Sequence, residues 1–237
     1  MWIMLGCQAH FCGTVKGMSE ATVRPRRLTP KGEAVRQKII EAAAVLIYER
    51  GVAGTSNELV RSAAGISGSQ LSHYFPDKES LVRAVIAWRA DTMIGLHRDP
   101  PLGELHSIAA LRAWARSYTE RPDACEGGCS FGSLAAEISK GDLDARDEIA
   151  AGLDRWRDLF EQGLAAMRGR GELRRGADAR QLAHALMAAF QGGMLLAQSA
   201  HDVTPLRDAL DAAIDHVASF APRQPASGRR LEPGLAP

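Results

Sequence analysis

One stretch constrains the fold of this chain most strongly: TSNELVRSAAGISGSQLSHYFPDK, which begins at Thr55. Thr55 is followed three residues later by Glu58, and Ser67 by Gln70, and each pair has the spacing of a capping box at the start of a helix. Gly65, between the pairs, stands where a helix end needs a left-handed residue. The stretch therefore predicts two short helices joined by a turn of about three residues, with a third helix directly after them.

The apolar residues of the two short helices fall on a common inner side. We expect the buried face to consist of Leu59, Val60, Ala63, Ala64, Ile66 and Leu71. The outer face of the second helix then carries small or hydrogen-bonding side chains, namely Gly68, Ser69, Gln70, Ser72 and His73. Such a face can enter the major groove and contact base edges. Helical hairpins with polar outer faces are common in all-α proteins, so the spacing alone leaves DNA binding and an ordinary hairpin both open.

The rest of the chain has helical periodicity, and no stretch alternates with the period of a strand. Thr29 and Pro30 are a good start for a helix that Gly51 ends. Beyond the short helices we predict helices over residues 77–97, 104–120, 131–140, 142–167, 178–200 and 205–220. Asp142 is the expected cap of the 142–167 helix. We therefore predict an all-α fold with a three-helix head, a body of about six helices and no sheet.

Charge is distributed unevenly between these two parts. Up to residue 95 the chain has 12 Lys and Arg against 8 Asp and Glu, and beyond it 17 against 20. A basic head on an acidic body suits a protein whose head binds a polyanion. No apolar run has the length of a membrane span, and the first residues lack the basic and apolar regions of a secretion signal. We therefore expect a cytoplasmic protein, with either Met1 or Met18 as the true start.

Two sets of residues carry a resemblance to a known family. The segments 63–67 and 71–81 resemble the DNA-binding signature of the TetR family of one-component transcriptional regulators, within a similarity that spans 35–85. The segments 128–137, GCSFGSLAAE, and 191–198, QGGMLLAQ, look like parts of the regulatory domain of one TetR subgroup. The resemblance implies a DNA-binding regulator, for which a repressor is the expected form, and a fold with a helix-turn-helix domain and a regulatory domain.

The resemblance implies four segments and a set of DNA contacts. We divide the chain into a disordered or artefactual extension (1–27), a helix-turn-helix DNA-binding domain (28–75), a ligand-binding and dimerisation domain (76–221) and a disordered tail (222–237). Gln70 is the preferred base reader because its amide can pair with adenine, with Ser69 beside it. The other expected contacts, chiefly to phosphates, are Thr55, Ser67, Gly68, Ser72, His73, Tyr74 and Lys78. Ser72 departs from the family, which commonly has an aromatic residue there.

The expected partners also follow from the resemblance. They are double-stranded DNA with a palindromic operator, a second copy of the chain bound through the last two helices, and a small apolar or aromatic effector. Aromatic and Met side chains of the body are candidates for an effector cavity, although each also suits a core. They are Trp88, Met93, Trp114, Phe131, Trp156, Phe160, Met167, Phe190 and Met194. His184 is either a core histidine or a hydrogen-bonding group for the effector.

Three other kinds of chemistry receive little support from the sequence. Residues 128–132 match the G-x-S-x-G pattern of a hydrolase, but the strand that must precede it is missing, so we expect no enzymatic activity. No His pair has the helical spacing of a metal site, and we expect neither a metal nor a cofactor. Cys125 and Cys129 are either ordinary thiols or redox sensors. The alternative function is a helical ligand-binding protein or enzyme that has lost specific DNA binding.

Overall fold

The computed structural model describes residues 28–98, 104–121 and 125–222. The predicted disordered extension and all but the first residue of the predicted tail lie outside these ranges. The described residues form helices and no strand, as the periodicity predicted. The helices are α1 (Pro30–Gly54), α2 (Asn57–Ala64), α3 (Gly68–Tyr74), α4 (Lys78–Arg98), α5 (Ile108–Thr119), α6 (Ser130–Lys140), α7 (Arg146–Gly169), α8 (Ala179–Ala200) and α9 (Thr204–Ala218).

The first helix begins and breaks where the sequence indicates. The Thr29 hydroxyl accepts the N–H of Gly32 at 3.2 Å, which caps the helix start. At Gly51 the backbone leaves the helical region, with φ 74° and ψ 169°, and one further helical turn follows it. Because φ is positive there, a side chain would be strained, and Gly51 allows the chain to bend sharply between α1 and the turn that leads to α2.

The α2–turn–α3 unit forms as predicted, with one cap displaced. Gly65 ends α2 in the left-handed region at φ 60°, ψ 45°. Ser67 caps α3, and a complete capping box joins it to Gln70. The cap predicted for α2 is wrong by one residue, because Ser56, not Thr55, accepts the N–H of Leu59 at 3.3 Å.

Two further predicted helix starts are wrong. Asp142 does not cap α7, which begins at Arg146 after Ala145 and has no side-chain cap. The predicted helix 104–120 begins only at Ile108, where the Ser107 hydroxyl accepts the N–H of Ala110 at 3.0 Å. In α8 the cap is Asp178, whose carboxylate accepts the N–H of Gln181 at 3.1 Å.

The buried residues separate into two clusters of different character. The first joins α1–α4 to α6 and the start of α7 and is mostly aliphatic, with Ile39, Ile40, Val60 and Leu71 at its centre. The second joins α5 and α7–α9 and is rich in aromatic side chains. Ala63 is exposed, so the predicted inner face of α2 is narrower than expected. Since α6 contributes to the first cluster, the three-helix head is anchored directly on the body.

Candidate functional site

The outer face of α3 is the candidate nucleic-acid interface. Ser69, Gln70, Ser72 and His73 are exposed on it, whereas Leu71 is buried against the head. The hydroxyls of Ser67 and Ser69 lie 2.9 Å apart at the start of the helix. Short polar side chains on a helix held from behind by apolar packing can approach base edges closely. The arrangement matches the outer face that the sequence predicted for this helix.

Gln70 has a second task in the free protein. Its Oε1 accepts the N–H of Ser67 at 2.9 Å, while its own N–H is donated to the Ser67 hydroxyl at 3.2 Å. The amide oxygen is therefore engaged in capping, and the Nε2 group keeps its hydrogen-bonding capacity. Bidentate pairing with adenine needs both ends of the amide, so the oxygen has to accept a second hydrogen bond or release the one from Ser67.

Thr55 does not belong to this surface. Its side chain is buried, with 3% of its area exposed, and its hydroxyl donates to the carbonyl of Gly51 at 2.8 Å. The predicted phosphate contact is therefore wrong for this side chain, which instead braces the bend at the end of α1. Tyr74 and Lys78 are half-buried beside α3, and the rings of His73 and Tyr74 lie 4.9 Å apart.

Two basic side chains near α3 were missing from the predicted interface. Arg61 is exposed on α2, and a side chain at Gly68 would come within 3.7 Å of its Nε, so the guanidinium lies beside the start of α3. Lys38 is exposed on α1 and its Nζ lies near Gly65 in the turn. The signal was available in the sequence, because both residues are cations that face outward next to the turn.

The body contains a cavity of about 330 Å³ that reaches from α1 across to α8. Of the aromatic and Met side chains considered from the sequence, the structure brings together five in its lining: Met93, Phe131, Trp156, Phe190 and Met194. The rings of Trp156 and Phe190 meet edge to face at 5.1 Å. The indole N–H of Trp156 is buried and has no hydrogen-bond acceptor among the described residues.

The other predicted lining residues lie elsewhere. Trp114, Phe160 and Met167 are buried in the second cluster and fill it, with the rings of Trp114 and Phe160 at 4.8 Å. Trp88 packs against the first cluster. His184 is exposed on α8 and lies outside the cavity lining, so neither role considered for it, core histidine or effector contact, is realised within one chain. Helical periodicity places His184 among apolar residues, but that side of α8 faces outward in the single chain.

Polar residues that were not predicted as lining residues also contribute to the cavity wall. They are Tyr48, Arg89, Thr92, Tyr118, Arg121, Glu126, Cys129 and Ser130. Burial raises the pKa of the Tyr118 phenol to about 12, so the phenol is a neutral hydrogen-bonding group at physiological pH. Charged and polar residues on amphipathic helices normally face solvent, and for this reason sequence periodicity did not select them.

Arg89 is the most unusual of these residues. Its guanidinium lies between two aromatic rings, 6.0 Å from the centroid of Tyr48 and 5.4 Å from that of Trp88. One Nη donates to the carbonyl of Ala44 in α1 at 3.0 Å. Burial lowers the pKa of Arg89, and the nearby Tyr48 and Cys129 oppose that shift. Among the described residues no carboxylate lies within ion-pair distance of this guanidinium.

Helix α6 connects the cavity to the head. Its first residues, Ser130 and Phe131, line the cavity, and Phe131 is also part of the first cluster. Near its other end, the Glu137 carboxylate accepts the backbone N–H of Val52 at 2.6 Å and that of Ala53 at 3.3 Å. These two donors belong to the helical turn that follows the bend at Gly51. Helix α6 therefore contacts the cavity at one end and the end of α1 at the other.

Three other features bear on the chemistry. Cys125 and Cys129 are free and half-buried, and the Cys129 sulfur accepts the N–H of Gly132 at 3.3 Å as the cap of α6. In the described ranges no three His, Cys, Asp or Glu side chains lie close enough together to hold a metal ion. Within those same ranges no helix is both long and apolar enough to cross a bilayer.

Known protein families match both parts of the chain. Residues 39–85 match the model described as bacterial regulatory proteins, tetR family, and residues 105–213 match the model described as tetracyclin repressor-like, C-terminal domain. Together they cover the head and most of the body.

Individual relatives agree with these matches. The HTH-type transcriptional repressor KstR2 of Rhodococcus jostii is 34% identical over 89 residues, which are 38% of this chain and 44% of that protein. The transcriptional regulator AcuR of Cereibacter sphaeroides is 27% identical over 184 residues, 74% of this chain and 83% of that one. The crystal structure of a TetR transcriptional regulator from Chloroflexus aurantiacus superposes with a TM-score of 0.70 at 27% identity, covering 81% of this chain and 98% of that chain.

Proposed function

Because this chain belongs to the TetR family of bacterial transcriptional regulators, we propose that it is a repressor released from a palindromic operator by a small effector. Its family consists of regulators and not of enzymes, so Ser130 in the G-x-S-x-G pattern is the first residue of α6 and not a nucleophile. The observation that carries the proposal is the continuous connection from the cavity through α4 and α6 to the head that presents α3. The proposed division is a DNA-binding domain over 28–75 and a ligand-binding and dimerisation domain over 76–221.

The proposed DNA contacts follow the exposed face of α3. Gln70 reads a base, with Ser69 beside it, while Ser67, Gly68, Ser72, His73, Tyr74 and Lys78 complete the interface, mainly at the backbone. Arg61 and Lys38 add phosphate contacts on either side of the helix start. A protein that works on chromosomal DNA in a bacterium works in the cytoplasm, which is the location we propose.

Dimerisation through α8 and α9 is supported by the outward face of α8. Leu195 and Leu196 expose 63% and 58% of their areas, next to the small residues Ala188 and Gly192. Helix α9 packs along α8, so a two-fold axis on this surface generates a four-helix bundle. Two recognition helices separated by one turn of DNA, about 34–36 Å, then contact two half-sites of a palindrome.

The proposed mechanism is a shift between two arrangements of the heads. An apolar or aromatic effector in the cavity contacts Met93 in α4 and Phe131 in α6. Both helices pack against α1 of the head, so the effector favours the arrangement with the wrong spacing of recognition helices. Such linkage is typically worth about 1–3 kcal/mol. Distances between labels on the two copies of α3 test this step, and an effector that weakens DNA binding without changing them would exclude it.

The first experiment is selection of bound duplexes from a random pool at low salt. We expect a palindromic site from the wild-type protein. Gln70→Glu keeps an acceptor for the Ser67 N–H, so it should fold normally, but it replaces the amide donor by a negative charge and should bind DNA more weakly and lose the wild-type preference at one position per half-site. Gln162→Ala, an exposed glutamine of α7, is the matched control and should select the wild-type site. Absence of any enriched sequence would instead favour a helical ligand-binding protein that has lost specific DNA binding.

A further inference from the structure

Arg89 is a positively charged side chain in a half-buried position, where loss of hydration makes a charge unfavourable. It lies half-buried in the cavity wall, and removal of a guanidinium from water is unfavourable unless hydrogen bonds or an anion compensate for the lost hydration. The carbonyl of Ala44 provides one bond, and a guanidinium has five N–H donors. Two aromatic rings provide further stabilisation, but no carboxylate of the described residues forms an ion pair with it. Arginine remains protonated at neutral pH even where burial lowers its pKa.

None of the described groups around Arg89 forms an ion pair with its guanidinium. From α1 it faces Tyr48 and Ala44, and from the start of α6 it faces Cys129. Glu137 lines a smaller cavity together with Arg89, but its carboxylate accepts the backbone N–H of Val52. Arg121 and Glu126 add one charge of each sign to the large cavity. Counted over the described residues of that lining, Arg89 and Arg121 are positive and Glu126 is negative, which leaves one positive charge.

The apolar residues of the lining determine which apolar part of a ligand fits the cavity. Phe131, Trp156 and Phe190 present aromatic surfaces, and Met93 and Met194 are flexible side chains that adapt to irregular shapes. A volume of about 330 Å³ is at the small end for ligand cavities. The charge, the chemistry and the size of the cavity together suit a compact molecule with one negative charge and an apolar part that is planar or branched.

We propose that the effector is a small apolar monocarboxylate and that Arg89 binds its carboxylate. The proposal extends the proposed function and rests on it for the statement that the bound ligand acts as an effector. A guanidinium binds a carboxylate through two parallel hydrogen bonds, which are stronger than its bond to a peptide carbonyl. The carboxylate therefore competes with Ala44 for the guanidinium, and binding weakens a direct link between α4 and the first helix of the head. Arg89 thus recognises the ligand and forms the first link to the DNA-binding part.

Direct binding measurements on the full-length wild-type protein test the assignment without DNA. The probes are benzoate, its neutral amide benzamide, and benzylamine, together with branched and straight-chain monocarboxylates of up to about ten heavy atoms. Calorimetry or quenching of tryptophan fluorescence reports binding, since Trp156 is in the wall. We expect the best monocarboxylate to bind about tenfold or more tightly than its amide, and the amine not to bind.

Substitutions at Arg89 test whether this residue binds the carboxylate. Arg89→Met keeps an unbranched apolar stem and removes the guanidinium, so it should lower carboxylate affinity about tenfold or more while leaving amide affinity nearly unchanged. Arg89→Lys keeps the charge without the planar fork and should give an intermediate loss. Arg155→Met is the matched control, because Arg155 is exposed on α7 and pairs with Asp91 outside the lining. Thermal unfolding of each variant verifies that it is folded, and the amide affinity verifies that its cavity is intact.

Several results would overturn the assignment. They are equal affinity for acid and amide, an unchanged preference in Arg89→Met, or no binding of any monocarboxylate in the set below about 10 mM. Operator binding separates this failure from that of the proposed function. If neutral aromatic compounds release the operator and carboxylates do not, the ligand class is wrong and the repressor stands. If carboxylates bind through Arg89 but the protein selects no operator, the binding site stands and the repressor function is wrong.

Discussion

The head and the second cluster of the body are both helical, yet different contacts hold them. In the head, short helices are fixed by caps, by the left-handed Gly65 and by aliphatic side chains such as Ile39 and Val60. In the body, long helices are held by large rings that contact one another, as Trp114 contacts Phe160 at 4.8 Å. The head has to present one rigid shape to DNA, whereas the body has to close around a cavity. Aromatic walls provide large contact area while leaving space between them.

The largest effect on stability is expected when one ring is removed from the aromatic cluster of the body. Phe160→Ala removes a fully buried side chain that contacts Trp114 and lies near His97, and should lower the free energy of unfolding by about 3–5 kcal/mol. Urea unfolding measures the loss. Leu159→Ala, at the half-buried neighbouring position, is the control and should lose much less. Similar losses for the two variants would show that the aromatic cluster does not hold the body in the way described.

A smaller effect is expected at the joint between the two regions. Glu137→Ala removes the carboxylate that accepts the N–H groups of Val52 and Ala53, and hydrogen bonds to charged groups are worth about 1.5–3 kcal/mol. We expect lower stability and a weaker effect of the effector on operator affinity, measured by DNA titration with and without effector. Glu137→Gln keeps an acceptor and should retain most of the coupling. Full coupling in Glu137→Ala would show that the head responds through α4 alone.

Within the head, the effect of one cap should be modest. Ser67→Ala removes the acceptor for the N–H of Gln70 and should cost about 1 kcal/mol of stability. Chemical unfolding monitored by circular dichroism measures it. Ser72→Ala, on the exposed face of the same helix, is the control and should leave stability nearly unchanged. If Ser67→Ala lost as much stability as Phe160→Ala, the head would not differ from the body in the way described, with local caps fixing one and ring packing holding the other.

The smallest effect concerns pH and the body alone. His97 is buried, its Nδ1 lies 2.8 Å from the carbonyl of Met93, and its Nε2 has no partner among the described residues. Burial lowers its pKa, and the bond to Met93 opposes this less strongly. As the pH falls through the ordinary histidine value of about 6.5, the unfolded chain binds a proton that the folded chain does not, so stability decreases.

A matched pair of variants isolates this contribution. His97→Gln cannot bind a proton and should lose less stability than the wild type between neutral pH and pH values below the ordinary histidine pKa. His73→Gln removes a histidine exposed on α3, away from α8 and α9, and should keep the wild-type pH dependence. Urea unfolding at the two pH values provides the comparison. A wild-type dependence in His97→Gln would assign the acid sensitivity to other groups.

The same contrast explains what the sequence could predict. The head is encoded by local signals, so the break at Gly51, the turn at Gly65 and the capping box of Ser67 and Gln70 are all readable from spacing. Where polar residues are adjacent, spacing does not choose among them, and Thr55 was predicted in place of Ser56. The all-α fold follows from periodicity because a helix needs only its own sequence to set its inner face.

The cavity is formed by contacts between helices that are distant in the sequence, and helical periodicity carries no information about such contacts. Met93 and Phe190 come together from distant helices, and their helix faces alone did not separate them from Trp114, which fills the core. Arg89 was missed because a charged residue on a helix is ordinarily taken to face water. His184 was misplaced because the apolar side of α8 that carries it faces outward in a single chain, where a second copy is expected to cover it.

The capping box of α3 has a consequence for how this regulator can change its operator in evolution. A substitution at Gln70 alters both the base contact and the start of the helix, so most replacements at this position are penalised twice. Only Glu shares the ability to complete the box, and it brings a negative charge to the DNA. His73 carries no comparable structural task for the helix start, so new operator preferences should be acquired first at this position.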